Sequence, residues 1–117
     1  MNIKLKRAYD APSKSDGLRI LVERLWPRGL TKEAAKIDQW VKEISPSPDL
    51  RKWYGHEPEK WPEFQRRYRA ELKANKAAFS ALKELCASGG VTFVYAAKDE
   101  ERNSAVVLKD ALENAES

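Results

Sequence analysis

Hydrophobic and polar positions along the chain first indicate where its β-strands lie. In residues 3–8 isoleucine and leucine alternate with lysine, and residues 18–24 contain the continuous apolar run Ile-Leu-Val. Alternation is typical of a strand with one solvated face, whereas a continuous apolar run suits a central strand covered on both faces. The intervening residues 9–17, "YDAPSKSDG", contain proline, serine, aspartate and glycine and predict a surface loop.

The strongest strand signal of the sequence lies near the C-terminus. Residues 91–97, "VTFVYAA", are β-branched, aromatic or small and carry no charge, as expected for a strand buried on both faces. A long, mostly helical segment separates them from residues 18–24, and helical crossovers join parallel strands of one sheet. We therefore expect residues 18–24 and 91–97 to be adjacent parallel strands in the sheet interior.

Apolar positions spaced three or four residues apart predict helices between the strands. Thr31 is a suitable N-cap for a first helix. The apolar positions of that helix are Ala34, Ile37, Trp40, Val41 and Ile44. A second, short helix is predicted after it, with Ser47 as N-cap, Pro48 in the first turn and Gly55 just beyond its end.

The second half of the chain is predicted to be helical on both sides of its strand. Residues 61–88 carry two successive helical stripes with a break near Asn75, and residues 104–115 form a last amphipathic helix. This order of elements predicts an α/β fold, a single three-layer-like domain over residues 1–117 with a small, mainly parallel sheet flanked by helices. The length of 117 residues suits one domain with a hydrophobic core.

Composition narrows the class of protein. Hydrophobic residues make up 42% of the chain and charged residues 34%, as in soluble globular proteins. No apolar run approaches the roughly 18 residues of a membrane span, and the N-terminal residues lack the apolar region of a signal peptide. We therefore expect a cytoplasmic protein without a membrane partner. The net charge of +4 is compatible with a phosphate-bearing ligand but too small to require nucleic acid.

The sequence contains no signature of a cofactor or metal site. One cysteine cannot form an internal disulfide, and Cys86 lies on an apolar helical stripe, which predicts a buried, slowly reacting thiol rather than a nucleophile. His56 is the only histidine, and no cysteine and histidine cluster with metal-ligand spacing accompanies it. Because the Walker, GxGxxG, GxSxG and HExxH motifs are also missing, we expect neither a cofactor nor a metal.

Two loops follow the predicted central strands at their carboxyl ends, residues 23–33 ("ERLWPRGLTKE") and 96–105 ("AAKDEERNSA"). Ligands of open α/β sheets bind beyond the carboxyl ends of the strands, so the polar and aromatic side chains of these loops should converge. The residues concerned are Arg24, Trp26, Arg28, Lys98, Asp99, Arg102 and Asn103. We predict a cleft in which they bind a small anionic or phosphorylated ligand; whether the protein also acts on that ligand stays open.

Arg28 and Lys98 are the expected anion-binding cations of this cleft, with Trp26 as its wall. Two cations this close repel each other unless a carboxylate or a bound anion lies between them. The alternative for Arg28 is an ion pair with a carboxylate such as Asp38, and the alternative for Trp26 is to cover the hydrophobic core. Neither alternative requires a ligand.

The remaining candidates also have both a functional and a structural interpretation. Because imidazole titrates near neutral pH, His56 suits a general acid or base, or else a turn-stabilising role. Lys98 and Asp99 form either a proton-transfer pair or ligand clamp, or a salt bridge and a helix cap. Asn103 is suited to cap the last helix, which would leave the amides of the loop free to bind an anion. Trp53 is a further ligand-binding candidate, because its short helix has too few apolar residues to bury it.

A basic stripe on the long helix supports a second hypothesis. Its residues are Arg66, Arg69, Lys73 and Lys76. A non-catalytic nucleic-acid-binding module is therefore the alternative function, in which Trp26 and Trp53 join this basic helix. Glutamates are interspersed among the cations, so the stripe also suits an ordinary solvated helix face.

Three motifs, "RLWPRG", "WYGH" and "YAAKD", resemble those of the YeaO-like branch of domain-of-unknown-function family 488. The resemblance covers nearly the whole chain and implies a bacterial or archaeal type of protein without an established activity. The family pattern has histidine beside the asparagine of the last loop, whereas Arg102 and Ser104 flank Asn103 here. We therefore expect no role in this chain that requires an imidazole in that loop.

Overall fold

Four parallel strands form one sheet in residues 1–114, the part of the chain that the structure, a computed structural model, describes. The strands are β1 (Asn2–Arg7), β2 (Leu18–Leu21), β3 (Gln39–Trp40) and β4 (Gly90–Tyr95). Their order across the sheet is β1-β4-β2-β3, and each neighbouring pair is parallel. With helices between the strands, this arrangement confirms the predicted α/β fold.

The predicted pairing of the two central strands is confirmed. β2 and β4 are parallel neighbours, with Ile20 opposite Phe93 and Leu21 opposite Val94, and β1 pairs with the other side of β4. Residues 91–95 are all buried, because β4 has a strand on each side and side chains packed over both faces. This double coverage explains why its sequence is a continuous apolar run rather than an alternation.

The described residues form five α-helices, of which four lie between strands and the fifth follows β4. They are α1 (Lys32–Ala35), α2 (Pro48–Tyr54), α3 (Trp61–Ala74), α4 (Lys76–Ala87) and α5 (Ser104–Asn114). Tyr68, Leu82 and Leu108, from α3, α4 and α5, are almost fully buried. They share one hydrophobic core with Ile20 of β2 and Phe93 of β4, so the long helices cover one face of the sheet.

The prediction of a helix after Thr31 is correct for the first turn and wrong beyond it. The Thr31 hydroxyl does accept a hydrogen bond from the Ala34 amide at 3.1 Å, but α1 ends at Ala35, and its C-cap Lys36 has φ +48°. The chain then pairs with β2 as β3, because the open edge of β2 needs main-chain partners. The amides of Asp38 and Val41 supply them, donating to main-chain oxygens of β2 at 2.9 and 3.0 Å.

The other helix boundaries agree with the sequence signals. The Ser47 hydroxyl accepts from the Leu50 amide at 3.2 Å at the start of α2, and Gly55, with φ +53°, ends that helix in the left-handed region that glycine favours. The break between α3 and α4 falls at Asn75. The last helix is confirmed as far as Asn114, while residue 115 of the predicted range lies outside the described residues.

The second face of the sheet is covered by a loop segment instead of long helices. Side chains alternate along a strand, so Leu21 and Val94 point away from the helix-covered core and form a small separate cluster. Trp26, Leu30 and Ile37, from the segment after β2, pack against that cluster. The polar loop between β1 and β2 contacts the other end of this second face.

Candidate functional site

A cavity of about 270 Å³ opens at the carboxyl ends of β2 and β4. The side chains and main chain that surround it come from both strand ends, from α2 and α3, and from the start of α5. Its lining residues are Glu23, Pro46, Arg51, Tyr54, His56, Phe64, Ala96, Ala97, Asn103 and Ser104. This is the sheet edge at which the sequence predicted a ligand site.

The sheet-edge wall of the cavity carries a carboxylate. Glu23 follows β2 and its Oε2 accepts a hydrogen bond of 2.8 Å from the amide of Ala96, which follows β4. The bond ties the ends of the two central strands together and fixes the half-buried carboxylate. Its second oxygen, Oε1, has no hydrogen-bond partner within residues 1–114. Glu23 lies in a loop that the sequence indicated, but a hypothesis of anion binding selects cations and so missed it.

The α2 wall of the cavity carries a cation. Arg51 is exposed on α2, and its guanidinium makes no ion pair or hydrogen bond with the residues that the structure describes. Sequence reasoning missed Arg51, although its place before the "WYGH" motif, two residues from Trp53, was a usable signal. An arginine without a protein partner at a cavity is available to a carboxylate or phosphate through its planar fork.

Aromatic rings form the base of the cavity. Tyr54 stacks on Phe64 with ring centroids 4.4 Å apart, and its hydroxyl donates over a long 3.4 Å to the main-chain oxygen of Arg102. Burial raises the pKa of the Tyr54 hydroxyl, and the negative charge of Asp99 raises it further. Tyr54 therefore stays neutral at physiological pH and serves as a hydrogen-bond donor rather than a base.

His56 lines the cavity directly after the end of α2. Its backbone is left-handed, with φ +57°, which is uncommon for a residue other than glycine. The exposed imidazole lies 5.9 Å from the Tyr54 ring, centroid to centroid. Its predicted roles, an acid or base or a stabiliser of the turn, stay predictions, but His56 is one of the predicted residues that the fold does bring to the cavity.

The N-terminus of α5 meets the same cavity. The Asn103 side chain accepts a hydrogen bond from the Val106 amide at 3.0 Å and donates one to the main-chain oxygen of Asp99 at 2.9 Å. Asn103 therefore caps α5, as its sequence position suggested. Asn103 is buried, and Ser104 opens the helix beside it. The positive end of the helix dipole at this point favours a negative charge nearby.

Asp99 and Arg102 bind each other instead of lining the cavity. One Asp99 oxygen accepts from the amides of Glu101 and Arg102, both at 2.9 Å, and the other lies 3.1 Å from the Arg102 Nε. The two amides and the guanidinium lower the pKa of the Asp99 carboxyl. These amides of the loop are thus already occupied by a carboxylate of the protein.

Arg24 lines a cavity of about 170 Å³, which is smaller than the cavity at the carboxyl ends of β2 and β4, called the larger cavity below. Its guanidinium donates to the main-chain oxygens of Ser45 and Pro46, each at 3.3 Å. The Arg24 Nε is buried without a hydrogen-bond partner among residues 1–114. Arg24 therefore holds the segment before α2, and Pro46, one of its partners, lines the larger cavity.

Trp26 and Arg28 lie in the loop after β2 and outside the lining of the larger cavity. The Trp26 indole donates to the Leu30 oxygen at 2.6 Å and meets the Trp40 ring edge-on at 5.5 Å. Arg28 is exposed, and its main-chain oxygen accepts from the Tyr9 hydroxyl at 2.9 Å. The alternative ion pair with Asp38 is not formed within the described residues.

Lys98 and Trp53 also lie outside the lining of the larger cavity. Lys98 is exposed in the loop after β4. The half-buried Trp53 ring is flanked by two cations, with the Lys60 Nζ 5.1 Å and the Arg67 Cζ 4.2 Å from its centroid. Of the predicted site residues, the fold thus gathers His56 and Asn103 at the larger cavity and adds Glu23 and Arg51.

Within residues 1–114, no three or more histidine, cysteine, aspartate or glutamate side chains are grouped so that they could hold a metal ion. No helix of the described residues is long and apolar enough to cross a membrane.

Comparison with known proteins places the chain in a family. It is 43% identical over 112 residues to the uncharacterised protein YeaO of Escherichia coli K12, which covers 96% of this chain and 97% of that protein. It is 38% identical over 110 residues to the uncharacterised protein Rv3073c of Mycobacterium tuberculosis H37Rv, covering 94% of this chain and 92% of that protein. No solved structure matches the chain. Residues 2–117 match the family described as the inactive DUF488-N3 subclade, and the chain belongs to that family.

Proposed function

We propose that the protein binds a small anionic or phosphorylated ligand in the cavity at the carboxyl ends of β2 and β4 and does not alter it chemically. The observation that carries the proposal is the Arg51 guanidinium, which lines this cavity without a protein partner among the described residues. A free guanidinium beside an aromatic surface is suited to a carboxylate or phosphate group.

Apart from the Glu23 carboxylate, the surroundings of Arg51 support an anion at this place. The start of α5, capped by Asn103, directs its positive end toward the cavity. His56 adds a second nitrogen-bearing side chain from the α2 wall. The stacked rings of Tyr54 and Phe64 form an apolar base, and an apolar base with a few polar groups is typical of small-molecule sites.

Binding without catalysis is supported by the state of three reactive side chains, those of Cys86, Tyr54 and Asp99. Cys86 is buried in the hydrophobic core, the pKa of Tyr54 is raised, and Asp99 is engaged by Arg102. The description of the family as an inactive subclade agrees with this proposal.

The nucleic-acid alternative has weaker support from the geometry. Arg66 and Arg67 on α3 both pair with Glu63, and Arg69 pairs with Asp110 of α5. Two of the four cations of the basic stripe, Arg66 and Arg69, are thus paired with carboxylates. The Trp53 ring, moreover, is already flanked by two cations of the protein. Both observations favour an ordinary solvated helix over a surface that tracks phosphates.

Titration with inorganic phosphate and with a nucleoside monophosphate, followed by amide NMR shifts and melting temperature, tests the proposal. We expect shifts at residues 96–97 and 103–104 and a higher melting temperature, since a ligand at 100 times its dissociation constant stabilises by about 2.7 kcal/mol. Arg51→Ala should abolish both effects. Lys52→Ala removes the same charge from the same helix outside the cavity and should preserve them.

Arg28→Ala separates the cavity from the loop site that the sequence predicted. If phosphate binds in the cavity, Arg28→Ala retains the shifts and the stabilisation. Loss of phosphate binding in Arg28→Ala, with binding intact in Arg51→Ala, would contradict the proposal and place the anion at the loop after β2. Failure of every phosphate and carboxylate ligand tested to shift or stabilise the wild-type protein would also contradict it.

A further inference from the structure

We infer that the ligand of this cavity is bipolar, carrying an ammonium or N–H donor as well as its anionic group, and that Glu23 selects for the donor. The inference rests on the proposed function, because it concerns the same cavity. It specifies a class of ligand that a site lined only by cations would not distinguish from simple anions.

The Glu23 carboxylate is positioned as an acceptor before any ligand arrives. Its Oε2 is held by the Ala96 amide at 2.8 Å, which restricts the side chain, while Oε1 has no partner within residues 1–114. An ionised carboxylate accepts hydrogen bonds and cannot donate them. A ligand that covers Oε1 without donating to it would leave a charged oxygen unsatisfied, and this is costly.

Glu23 and Arg51 carry opposite charges on different walls of one cavity. No salt bridge joins them in the described part of the chain, although both line the same 270 Å³. These two charges therefore do not neutralise each other. A molecule with a donor at one end and an anion at the other would satisfy both, and a simple dianion would satisfy Arg51 while being repelled by Glu23.

The rings of Tyr54 and Phe64, 4.4 Å apart, indicate what joins the two ends of such a ligand. Their apolar surface suits a flat or apolar body. The cavity, about 270 Å³, is slightly smaller than the roughly 300 to 1,000 Å³ of typical small-molecule sites. The class of ligand is therefore a small zwitterion or an N–H-bearing carboxylate or phosphate with a ring or short apolar body.

Two nearly isosteric probes separate this class from plain anions. 4-(Aminomethyl)benzoate and 4-ethylbenzoate share a ring and a carboxylate and differ in an ammonium group against a methyl group. We expect the wild-type protein to bind the first about tenfold more tightly than the second by NMR titration, as one hydrogen bond to a charged group provides. This comparison requires no variant and is unaffected by any folding defect.

Glu23→Gln assigns the preference to its residue. Glutamine still accepts from the Ala96 amide but loses the charge, so the preference for 4-(aminomethyl)benzoate should fall to about twofold or less. Glu100→Gln removes the same charge from the neighbouring loop outside the cavity and should leave the preference intact. Arg51→Ala should weaken both benzoates alike.

The outcomes of this experiment keep the inference apart from the proposed function. Equal binding of the two benzoates, binding of inorganic phosphate with neither benzoate, or an unchanged preference in Glu23→Gln overturns the inference and leaves the anion site standing. Failure of phosphate, nucleoside monophosphate and both benzoates to bind overturns the proposed function and the inference with it.

Discussion

The Arg19 guanidinium and the Asp16 carboxylate form a buried ion pair, with Nη1 and Oδ2 2.7 Å apart. The remaining Arg19 nitrogens donate to the Ala35 oxygen at 3.0 and 2.8 Å, and Lys6 lies 3.1 Å from the second Asp16 oxygen. The Thr92 hydroxyl donates to the Asp16 main chain at 2.7 Å. This network fixes the loop between β1 and β2 near the amino ends of the strands, away from the cavity.

Asp16→Asn should destabilise the protein by about 3 to 5 kcal/mol at neutral pH, because it leaves the buried Arg19 without its counter-charge. Urea unfolding followed by circular dichroism measures the difference. Asp10→Asn, in the exposed part of the same loop, is the matched control and should change the free energy of unfolding by less than about 0.5 kcal/mol. Equal effects of the two variants would contradict a structural role for the Asp16 pair.

The same pair should make stability depend on acid pH. Burial alone would raise the pKa of the Asp16 carboxyl, but hydrogen bonds from Ser13, Lys6 and Arg19 together lower it below its ordinary 3.8. A carboxyl with a lowered folded-state pKa stabilises the protein above 3.8, and this contribution is lost as the pH falls through the folded-state value. Unfolding curves between pH 2 and 7 should therefore show a smaller acid-induced loss in Asp16→Asn than in the wild type.

Gly17→Ala should destabilise the protein strongly for two separate reasons. Gly17 has φ +65° and ψ −139°, a sparsely populated region in which a side chain costs about 1 to 3 kcal/mol, and an added Cβ would collide with the main-chain oxygen of Gly90 at the start of β4. Gly29→Ala measures the cost of a positive φ without a collision, since its φ is +78° and nothing lies within 4 Å of its added Cβ. A Gly17→Ala effect no larger than that of Gly29→Ala in thermal unfolding would exclude the collision.

The fold is predictable from the sequence where local signals agree with what the tertiary structure requires. In β4 the apolar run matches burial on both faces, and around α2 the signals of Ser47 and Gly55 match real caps. After Thr31 the local signals disagree with what the tertiary structure requires. The spacing of Ile37 and Trp40 fits a helix, but the open edge of β2 takes this segment as a strand of two residues, too short to have a periodicity.

The place of the candidate site is predictable, whereas most of its residues are not. Parallel pairing of β2 and β4 is enough to put the site at their carboxyl ends. Which side chains line the cavity depends on how α2 and α3 pack over that edge, and this packing brings Arg51 and Phe64 there. No local sequence pattern encodes such an approach of distant segments.

Cys86 should react slowly with a thiol reagent in the native protein. Its side chain is only 1% exposed, as the apolar stripe predicted, and burial raises the pKa of the thiol to about 11. Both effects suppress the reactive thiolate at pH 8. Labelling with a disulfide reagent should be at least about a hundredfold slower than in 6 M guanidinium chloride, where the chain is unfolded. Labelling at equal rates in the two conditions would show that Cys86 is accessible in the native state.

Trp26→Ala tests whether the tryptophan of "RLWPRG" covers the core or contacts a ligand. Trp26 packs against the cluster of Leu21 and Val94, and its indole donates to Leu30. Because the ring is only partly buried, we expect a loss of about 2 kcal/mol, less than for a fully buried tryptophan. Circular dichroism in urea measures it without relying on tryptophan fluorescence. The control is Leu25→Ala, whose side chain is 68% exposed and which should cost less than about 0.5 kcal/mol.

Trp26→Phe separates packing from hydrogen bonding at the same position. It keeps most of the ring contact with Leu21 and Val94 but removes the indole donor, so about 1 kcal/mol should be lost through the bond to the Leu30 oxygen. Since Trp26 does not line the cavity, both Trp26 variants should bind inorganic phosphate and 4-(aminomethyl)benzoate as the wild type does. Weaker binding with unchanged stability would instead make Trp26 the ligand wall that the sequence predicted, and would move the anion toward Arg28.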